Sequence, residues 1–506
     1  MGWGLRGRRA GKAGIAVFAS VLVGLTAGCG HDAPACPKDP GIEAAENFGR
    51  ELQKKIDVDA MFAHLQKLQD IADANHGTRA IGTPGYEASV DYVATTLRDK
   101  GFTVDTPEFE VRLSHSEPGT VHAGDADFTA RALKYSTGAP AGGLTVPLVA
   151  ARTGDAARVC ADSDLDGLPV TGAALLVERG QCPFAEKAAT AVKHGAVAVI
   201  VADNVDEPEM TGTLGESTTI TVPVVSVSKA DGAALRAHPG QVTVKVDARV
   251  DTLKVRNVIA QTSTGSTTDV VMAGAHLDSV PEGPGINDNG SGVAAVLETA
   301  LQLGPAPQVT NAVRFAFWGA EEVGLVGSQR YVQSLDENQL RDIALYLNFD
   351  MLASPNPGYF TYDGDQSTAV ARGGAVPRVP EGSAGIERLL VGYLDGAGKR
   401  AEDTSFDGRS DYDGFTLAGI PAGGLFAGAE EKMTAEQAKA WGGQADQPFD
   451  PNYHQKTDTL EHIDRTALGI QGPGVGFAIG RYAQSLGGRD GVPVRDDRTR
   501  HVVQPG

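Results

Sequence analysis

The sequence predicts an α/β protein in which a doubly wound mixed sheet is interrupted by a smaller, β-rich α/β module. Apolar runs at 269–275, 311–318 and 343–349 have the length and continuity of strands buried on both faces of a sheet. A helical pattern, "SGVAAVLETALQL" (291–303), lies between the first two runs, as the crossover of such a sheet requires. Between residues 115 and 252 the pattern changes to short strands, turns and one helix, which indicates a separate module.

Two helices are predicted ahead of that module. Residues 57–74 and 85–101 carry apolar side chains at three- and four-residue spacing, and a strand-like segment follows them. Because these helices precede the module and the sheet follows it, the main domain is predicted to be discontinuous. It comprises residues 45–114 and 253–484, with the module inserted at 115–252.

The first 28 residues have the features of an export signal. A basic start precedes the apolar stretch 13–25, which is too short to span a bilayer, since this takes about 20 residues. "LTAGC" (25–29) resembles a bacterial lipobox, which implies that Cys29 is acylated and begins the mature chain. The alternative is an ordinary signal cut near Ala27. The first prediction gives a membrane-anchored lipoprotein of the cell envelope, and the second gives an extracellular protein.

Both ends of the mature chain are predicted to be flexible. Residues 29–44 are rich in Pro, Gly and Asp and are interpreted as a tether. Residues 485–506 lack any periodicity and are predicted to be a disordered tail.

Export permits disulfide bonds, and the chain has four cysteines. If Cys29 carries lipid, Cys160 and Cys182 form the natural pair within one module and Cys36 stays free in the tether. The sequence leaves the connectivity open.

The formal net charge of −20 argues against a nucleic-acid partner. Binding phosphates requires clustered lysine and arginine, which this acidic chain does not offer. The acidic surface is interpreted as favouring solubility.

Acids and a histidine follow the ends of the three predicted strands. In order along the chain they are His276, Asp278, Asp288, Glu321, Glu322 and Asp350. Each has an ordinary explanation when taken singly, such as a helix N-cap for Asp288. Ligands of open α/β sheets gather at the carboxyl ends of the strands, so these groups are expected to converge. Together they would repel one another without a cation.

Two details refine this cluster. Glu321 and Glu322 are adjacent, and neighbouring side chains on an extended segment point in opposite directions, so the two are not expected to share one task. A further ligand is expected from "FDPNYHQKTDTLEHID" (449–464), where His454 and His462 both qualify by type. His462 lies in the more polar segment and is interpreted as a surface residue.

Two resemblances to known families add to these predictions. "VERGQCPFAEKAATAVKHGAVAVI" (177–200) resembles the protease-associated domain, a noncatalytic insert of several peptidase families. "GAHLDSV", "GINDNGSG", "FAFWGAEEVGLVGS", "LNFDM" and "YHQKTDTL" occur in the order typical of the bacterial secreted zinc aminopeptidases, the co-catalytic zinc exopeptidase family. This second resemblance covers residues 255–470 and implies a zinc exopeptidase-like fold.

The family resemblance implies a role for each candidate residue. It implies two Zn²⁺ per chain, one held by His276 and Asp350, the other by Glu322 and His454, with Asp288 bridging them. Glu321 would be the general base for attack by a zinc-bound hydroxide, Tyr453 and Arg409 would line the site of the tetrahedral intermediate, and Asp278 would orient His276.

The implied substrates are peptides with a large apolar N-terminal residue such as leucine. Met351 and Phe426 are candidates for the side-chain pocket, with ordinary core packing as the equal alternative. A carboxypeptidase on the same scaffold would need basic residues that bind a terminal carboxylate, and Arg409 alone gives little support for it. A noncatalytic peptide-binding lipoprotein would be expected to have lost ligands or the base, whereas this chain keeps them all.

Some family features are altered. Cysteines that bracket the last histidine in short secreted relatives are Asn452 and Thr457 here, which leaves the rigidity of that wall open. Gly469 replaces an acid of the calcium site found in some relatives, so calcium is not predicted.

Overall fold

The structure, a computed structural model, describes residues 39–152, 154–206, 210–368 and 379–504. The predicted signal at 1–28, the lipidation site Cys29 and the tether cysteine Cys36 lie outside the described residues.

The described chain alternates helices and strands in the order that the sequence predicts for the main domain. The helices are α1 Pro40–Gln53, α2 Val58–Ala74, α3 Pro84–Lys100, α4 Phe184–Lys193, α5 Lys229–Ala237, α6 Gly292–Leu303, α7 Val326–Gln333, α8 Glu337–Asp342, α9 Ser383–Gly396, α10 Asp413–Leu417, α11 Ala435–Trp441 and α12 Arg465–Gln484. The strands are β1 Thr103–Asp105, β2 Glu108–Ser116, β3 Gly119–Ala123, β4 Ala126–Ala132, β5 Leu144–Ala150, β6 Ala174–Glu178, β7 Ala198–Ala202, β8 Val224–Val227, β9 Gln241–Lys245, β10 Ala248–Arg256, β11 Val258–Gln261, β12 Ser266–His276, β13 Asn311–Trp318, β14 Ile343–Phe349, β15 Phe360–Tyr362, β16 Glu402–Thr404 and β17 Ala422–Phe426.

The main domain is built on an eight-stranded mixed sheet. Its strand order is β1-β11-β13-β12-β14-β17-β15-β16. The central strand β12 pairs in parallel with both β13 and β14, so the carboxyl ends of these three strands meet at one edge. Antiparallel strands flank this parallel core on both sides. The predicted fold class, a doubly wound mixed sheet, is confirmed.

Both faces of the sheet are covered, which is why its strands are apolar without alternation. Side chains on one face, including Val271, Phe317 and Leu347, pack with helices α2, α6 and α12. Their neighbours on the other face, including Trp318 and Tyr346, pack with α7, α8 and α10. Successive residues of one strand therefore serve two separate cores.

The inserted module is a closed barrel. Its strands run in the order β3-β4-β8-β7-β6-β5-β9, and β9 closes on β3. An antiparallel ribbon of β2 and β10 connects the barrel to the main domain. The barrel also contacts α7 through an ion pair of 3.2 Å between Arg330 Nη2 and Glu216 Oε1. The predicted boundaries at 115 and 252 fall within the ribbon, and they stay a prediction.

Two predictions about the ends of the chain are wrong for the residues that the structure describes there, 39–44 and 485–504. Residues 40–44 of the predicted tether begin helix α1, where Asp39 accepts the backbone N–H of Gly41 and Pro40 occupies the first turn. Helix α1 lies against α12 so closely that a Cβ on Gly49 would meet the Phe477 carbonyl oxygen at 2.7 Å. This buried contact holds a segment whose composition alone predicted flexibility.

The tail is ordered through residue 504 because two buried arginines anchor it. The Arg498 guanidinium donates to the backbone carbonyls of Thr268 and Arg341 and pairs with Asp269. The Arg500 guanidinium donates to the carbonyls of Leu340, Ile343 and Gly419. The tail therefore binds the amino ends of β12 and β14, opposite the edge where the candidate site lies.

We expect Arg500→Ala to destabilise the protein measurably. It would remove the guanidinium that donates to the carbonyls of Leu340, Ile343 and Gly419, and each hydrogen bond from a charged donor contributes about 1.5 to 3 kcal/mol. The melting temperature, followed by circular dichroism, should fall by at least about 5 °C. Arg489→Ala, at an exposed position of the same tail, is the matched control and should leave it unchanged. An unchanged melting temperature for Arg500→Ala would contradict the anchoring role.

Within the described ranges, no helix combines the length and the apolarity that crossing a membrane requires.

Candidate metal centre

The carboxyl ends of β12, β13 and β14 deliver the predicted site residues to one edge of the sheet. Strand β12 ends at His276, β13 is followed by Glu321 and Glu322, and β14 is followed by Asp350. The strands are parallel neighbours, so side chains at their ends must lie close together. Asp288 comes from the loop that precedes α6.

The first group of ligand atoms comprises His276, Asp288 and Asp350. The Nε2 atom of His276 lies 3.1 Å from Asp288 Oδ1 and 3.4 Å from Asp350 Oδ1. One ligand atom from each of the three residues lies within 4.8 Å of the others. All three side chains are buried.

The second group of ligand atoms comprises Asp288, Glu322 and His454. The Nε2 atom of His454 lies 3.2 Å from Asp288 Oδ2 and 3.0 Å from Glu322 Oε2. These atoms also lie within 4.8 Å of one another. Asp288 therefore belongs to both groups and presents a different carboxylate oxygen to each histidine.

The loops that carry these ligands are held by two buried acids. The Asp458 carboxylate accepts the backbone N–H groups of Asn287 and Asp288, at 2.7 and 2.9 Å. The Asp278 carboxylate accepts those of Glu321 and Glu322, at 3.2 and 3.3 Å.

The predicted contact of Asp278 with His276 takes a different form from the one expected. The Nδ1 atom of His276 lies 3.1 Å from the Asp278 backbone carbonyl, whereas the Asp278 carboxylate is 3.9 Å away. A carbonyl can only accept, so Nδ1 carries the proton in the neutral ring and Nε2 is left to bind a cation.

Three non-glycine residues beside the site have left-handed backbone angles. They are Ala320, Met351 and His454, with φ values of 62°, 51° and 56°. Such a conformation costs a residue with a side chain about 1 to 2 kcal/mol. Each residue is a candidate ligand or lies next to a predicted site residue, so these conformations turn the chain sharply beside the site.

One cavity is lined by ten of the predicted site residues. They are His276, Asp288, Glu321, Glu322, Asp350, Met351, Arg409, Phe426, Tyr453 and His454. The cavity wall also contains Asp407 and Glu431, which the sequence analysis did not select. Arg409 donates to the Tyr453 hydroxyl at 3.3 Å and pairs with Glu430 at 2.9 Å, so its charge is already engaged by an acid.

The electrostatics of the site favour a bound cation. Burial alone would lower the pKa of His454, but its hydrogen bonds to Asp288 and Glu322 raise that pKa to about 10. Burial raises the pKa of Glu322 to about 7, and the negative charge of Asp288 adds to this effect. The clustered carboxylates thus stabilise positive charge on the imidazole between them.

The candidate ligands fit zinc in two respects, their residue types and the absence of hydrogen-bond partners for two of their oxygens among the described residues. Imidazole and carboxylate groups are typical zinc ligands. Glu322 Oε1 and Asp350 Oδ1 are buried and have no hydrogen-bond partner in the part of the chain that the structure describes. Buried carboxylate oxygens are rarely left unpaired, and a cation in each group would satisfy them.

Several residues that support the site were not predicted. Asp458 lies in a motif that predicted no role for it, and Ser410, whose hydroxyl donates to Asp350 at 2.6 Å, lies beside Arg409 in a segment that predicted a role only for that arginine. Their signal in the sequence was weak, because a serine or a lone aspartate in a loop is usually a turn residue. Elsewhere, Cys160 and Cys182 form a disulfide in the barrel module, with Cα atoms 5.8 Å apart.

A doubly wound sheet with two acid-histidine groups at its carboxyl edge is typical of metal-dependent hydrolases. Residues 257–474 match the model of peptidase family M28, and residues 144–235 match the PA domain.

Relatives of known sequence and structure agree with this class. The chain is 64% identical over 491 residues to "Probable lipoprotein aminopeptidase LpqL" of Mycobacterium tuberculosis, covering 97% of both chains. It is 41% identical to an aminopeptidase of Pseudomonas aeruginosa, covering 84% of this chain and 81% of the other. A solved aminopeptidase from Aneurinibacillus sp. strain AM-1 is 28% identical, with a TM-score of 0.62 over 85% of this chain and 95% of that one. The zinc aminopeptidase BSAP of Bacillus subtilis is 26% identical, with a TM-score of 0.52 over 84% of this chain and 94% of its own. The chain therefore belongs to peptidase family M28, as a zinc aminopeptidase with an inserted PA domain.

Proposed function

We propose that the protein removes large apolar residues such as leucine from the free N-termini of peptides, with two zinc ions in the shared site and Glu321 as general base. One observation carries this proposal. Two groups of ligand atoms share Asp288, and Glu321 lines the same cavity while belonging to neither group in the described part of the chain.

Each of the two groups of ligand atoms would hold one metal ion. His276 and Asp350 would hold one ion, Glu322 and His454 would hold the other, and Asp288 would bridge them. Two zinc ions held by these residues would supply polarisation of the scissile carbonyl and a lowered pKa of bound water.

Glu321 would transfer the proton of the attacking water. Its carboxyl lies in the cavity beside both groups, and burial raises its pKa well above the usual range, with Asp411 and Glu322 adding to that effect and His276 opposing it. A raised pKa lets a carboxylate accept a proton from the attacking water and return it to the leaving amine. A carboxylate bound to the metal would be a weaker base, because the neighbouring cation disfavours its protonated form.

The charges around the cavity favour an amino terminus over a carboxyl terminus. Asp407 and Glu431 line the wall, and Arg409 is paired with Glu430 and Tyr453 rather than free to grip a carboxylate. This arrangement argues against the carboxypeptidase alternative. Arg409 and Tyr453 would instead stabilise the tetrahedral intermediate as donors at the cavity wall.

The preference for large apolar residues rests on Met351 and Phe426. Both line the cavity, although Met351 is almost fully buried and Phe426 is only partly buried. An apolar wall next to the ligand groups would accommodate a leucine side chain.

The predicted location is also a proposal. The lipobox-like "LTAGC" and the word lipoprotein in the name of the Mycobacterium tuberculosis relative support an exported protein anchored through Cys29. The boundaries at 115 and 252 are proposed as well: the protease-associated domain would lie between them, and the peptidase domain would comprise the chain on either side, with helix α1 and the anchored tail included.

Assays on matched free and N-acetylated peptides test this function. We expect leucyl peptides to be cleaved and their N-acetyl forms to react at least about 100-fold more slowly, because the acids lining the cavity would lose the amine. Among p-nitroanilides, leucine should exceed alanine and glutamate. Equal rates on blocked peptides would favour the carboxypeptidase, and binding of peptides without any turnover would favour the noncatalytic alternative.

A further inference from the structure

A fully buried arginine, Arg79, lies against the loop that joins two candidate zinc ligands. Residues 277–285 connect His276, at the end of β12, to the segment that carries Asp288. The Arg79 guanidinium donates to three backbone carbonyls of this loop, those of Leu277, Pro284 and Gly285. The arginine is 0% exposed, so water does not compete for these bonds.

The guanidinium holds both ends of the loop at once. Leu277 directly follows His276, and Gly285 lies three residues before Asp288. The donors of a guanidinium form a rigid planar fork, so the carbonyls that they bind have fixed relative positions. The contact is close, because a Cβ on Gly285 would lie 3.2 Å from Arg79 Nη2. The separation of the two candidate ligands therefore depends on Arg79.

The backbone around Arg79 is fixed to the same loop. The Arg79 N–H donates to Ser279 Oγ at 3.0 Å, and the Thr78 hydroxyl donates to the Val280 carbonyl at 3.0 Å. Ser279 Oγ donates within the loop, to the Gly283 carbonyl at 2.9 Å. The segment between α2 and α3 and the loop thus form one hydrogen-bonded unit.

The charge of Arg79 works against a bound cation, which leaves geometry as its contribution. Burial lowers the pKa of the guanidinium to about 10, and the carboxylates of Asp458, Asp278 and Asp288 oppose this effect. Arg79 is therefore positively charged at neutral pH. A positive charge near the site repels a metal ion, so Arg79 favours zinc only through the shape that it imposes on the loop.

We infer that Arg79 is a positioning residue, which holds His276 and Asp288 at the separation that the two ions require. This inference rests on the proposed two-zinc site. Asp288 belongs to both groups of ligand atoms, so a displaced loop would weaken the binding of both ions. Arg79 precedes the inserted barrel and lies outside residues 257–474, which match the family model. The segment between α2 and α3 thereby supports a site whose candidate ligands all come from later in the chain.

Zinc retention in a charge-conserving variant tests the inference without relying on activity. The wild type, Arg79→Lys and Arg481→Lys are dialysed against increasing dipicolinate, and the zinc per chain is measured by mass spectrometry. A lysine keeps the positive charge but lacks the planar fork. We expect both ions to bind about 10- to 100-fold more weakly in Arg79→Lys, the usual effect of removing a partner that orients metal ligands.

Arg481→Lys is the matched control. Arg481 is also buried, and its guanidinium donates to the backbone carbonyls of Ser485 and Gly487, which lie in the tail away from the candidate ligands. Both variants should lower the melting temperature, because each loses hydrogen bonds from a charged donor. Arg481→Lys should nevertheless retain both zinc ions with the affinity of the wild type.

The outcomes separate this inference from the proposed function. Wild-type affinity for both ions in Arg79→Lys, or the same weakening in Arg481→Lys, would overturn the positioning role. If Arg79→Lys does not fold, Ser279→Ala decides, because it removes the hydroxyl that accepts the Arg79 N–H. Weaker binding of both ions in Ser279→Ala then supports the inference, and unchanged binding overturns it. A wild type that binds fewer than two zinc ions would refute the proposed site itself, and the inference with it.

Discussion

Glu321→Gln is expected to lower kcat on leucine p-nitroanilide by at least about 100-fold, since general bases contribute roughly 10²- to 10⁴-fold. The amide cannot accept the proton of the attacking water. Zinc content should stay at the wild-type value, because Glu321 belongs to neither group of ligand atoms among the described residues. Rate and metal content are measured on the same preparation.

Glu282→Gln is the control for this prediction. It makes the same chemical change at an exposed position on the loop between His276 and Asp288, and it should alter neither the rate nor the zinc content. A Glu321→Gln enzyme with full kcat would exclude Glu321 as the base. One that loses zinc would mean that Glu321 is itself a ligand.

The adjacent glutamates show how far local sequence reasoning reaches. Opposed side-chain directions predicted separate tasks, and the structure gives them separate positions: Glu322 lies 3.0 Å from His454, and Glu321 lines the cavity outside the two groups. The left-handed Ala320, which turns the chain just before them, has no signal in the sequence. Its conformation is imposed by the packing around it.

The parallel core of the fold was predictable because burial on both faces leaves an unbroken apolar run in each strand. The ends of the chain were not predictable in this way. Arg498 and Arg500 appear in a polar, aperiodic tail, and their order depends on carbonyl groups more than 150 residues away. Amino-acid composition indicates only the local conformational preference of a segment, whereas these hydrogen bonds exist only once the sheet has formed.

The same distinction applies to the site. The candidate ligands that the structure brings together were predictable because a histidine and acids at strand ends are chemically distinctive. Ser410 and Asp458 were missed because their roles depend on contacts with Asp350 and Asp288 that are distant in sequence. A serine or an aspartate in a loop carries no sign of what it will hold in place.

Asp288→Asn is expected to remove both zinc ions, because Asp288 is the one residue common to the two groups of ligand atoms in the described chain. Its two oxygens face different histidines, at 3.1 and 3.2 Å, and an asparagine offers a single oxygen. Loss of an outer partner already weakens metal binding by about 10- to 100-fold, so loss of a bridging ligand should exceed about 100-fold at each site. Zinc per chain after dialysis measures this directly, and hydrolysis should fall below detection.

Glu322→Gln is the comparison variant for the expected zinc loss of Asp288→Asn. It alters one group only, so it should lose a single ion and retain the one that we propose for His276 and Asp350. Adding zinc should also raise the melting temperature of the metal-free wild type, because a ligand that binds the native state stabilises that state. The same addition should have little effect on the melting temperature of Asp288→Asn. We expect two zinc ions per chain in the wild type, one in Glu322→Gln and none in Asp288→Asn. This result requires a carboxylate that both metal sites share. If Asp288→Asn instead kept one ion at full affinity, the two metals would be bound independently, and the carboxylate of Asp288 would serve only one of them.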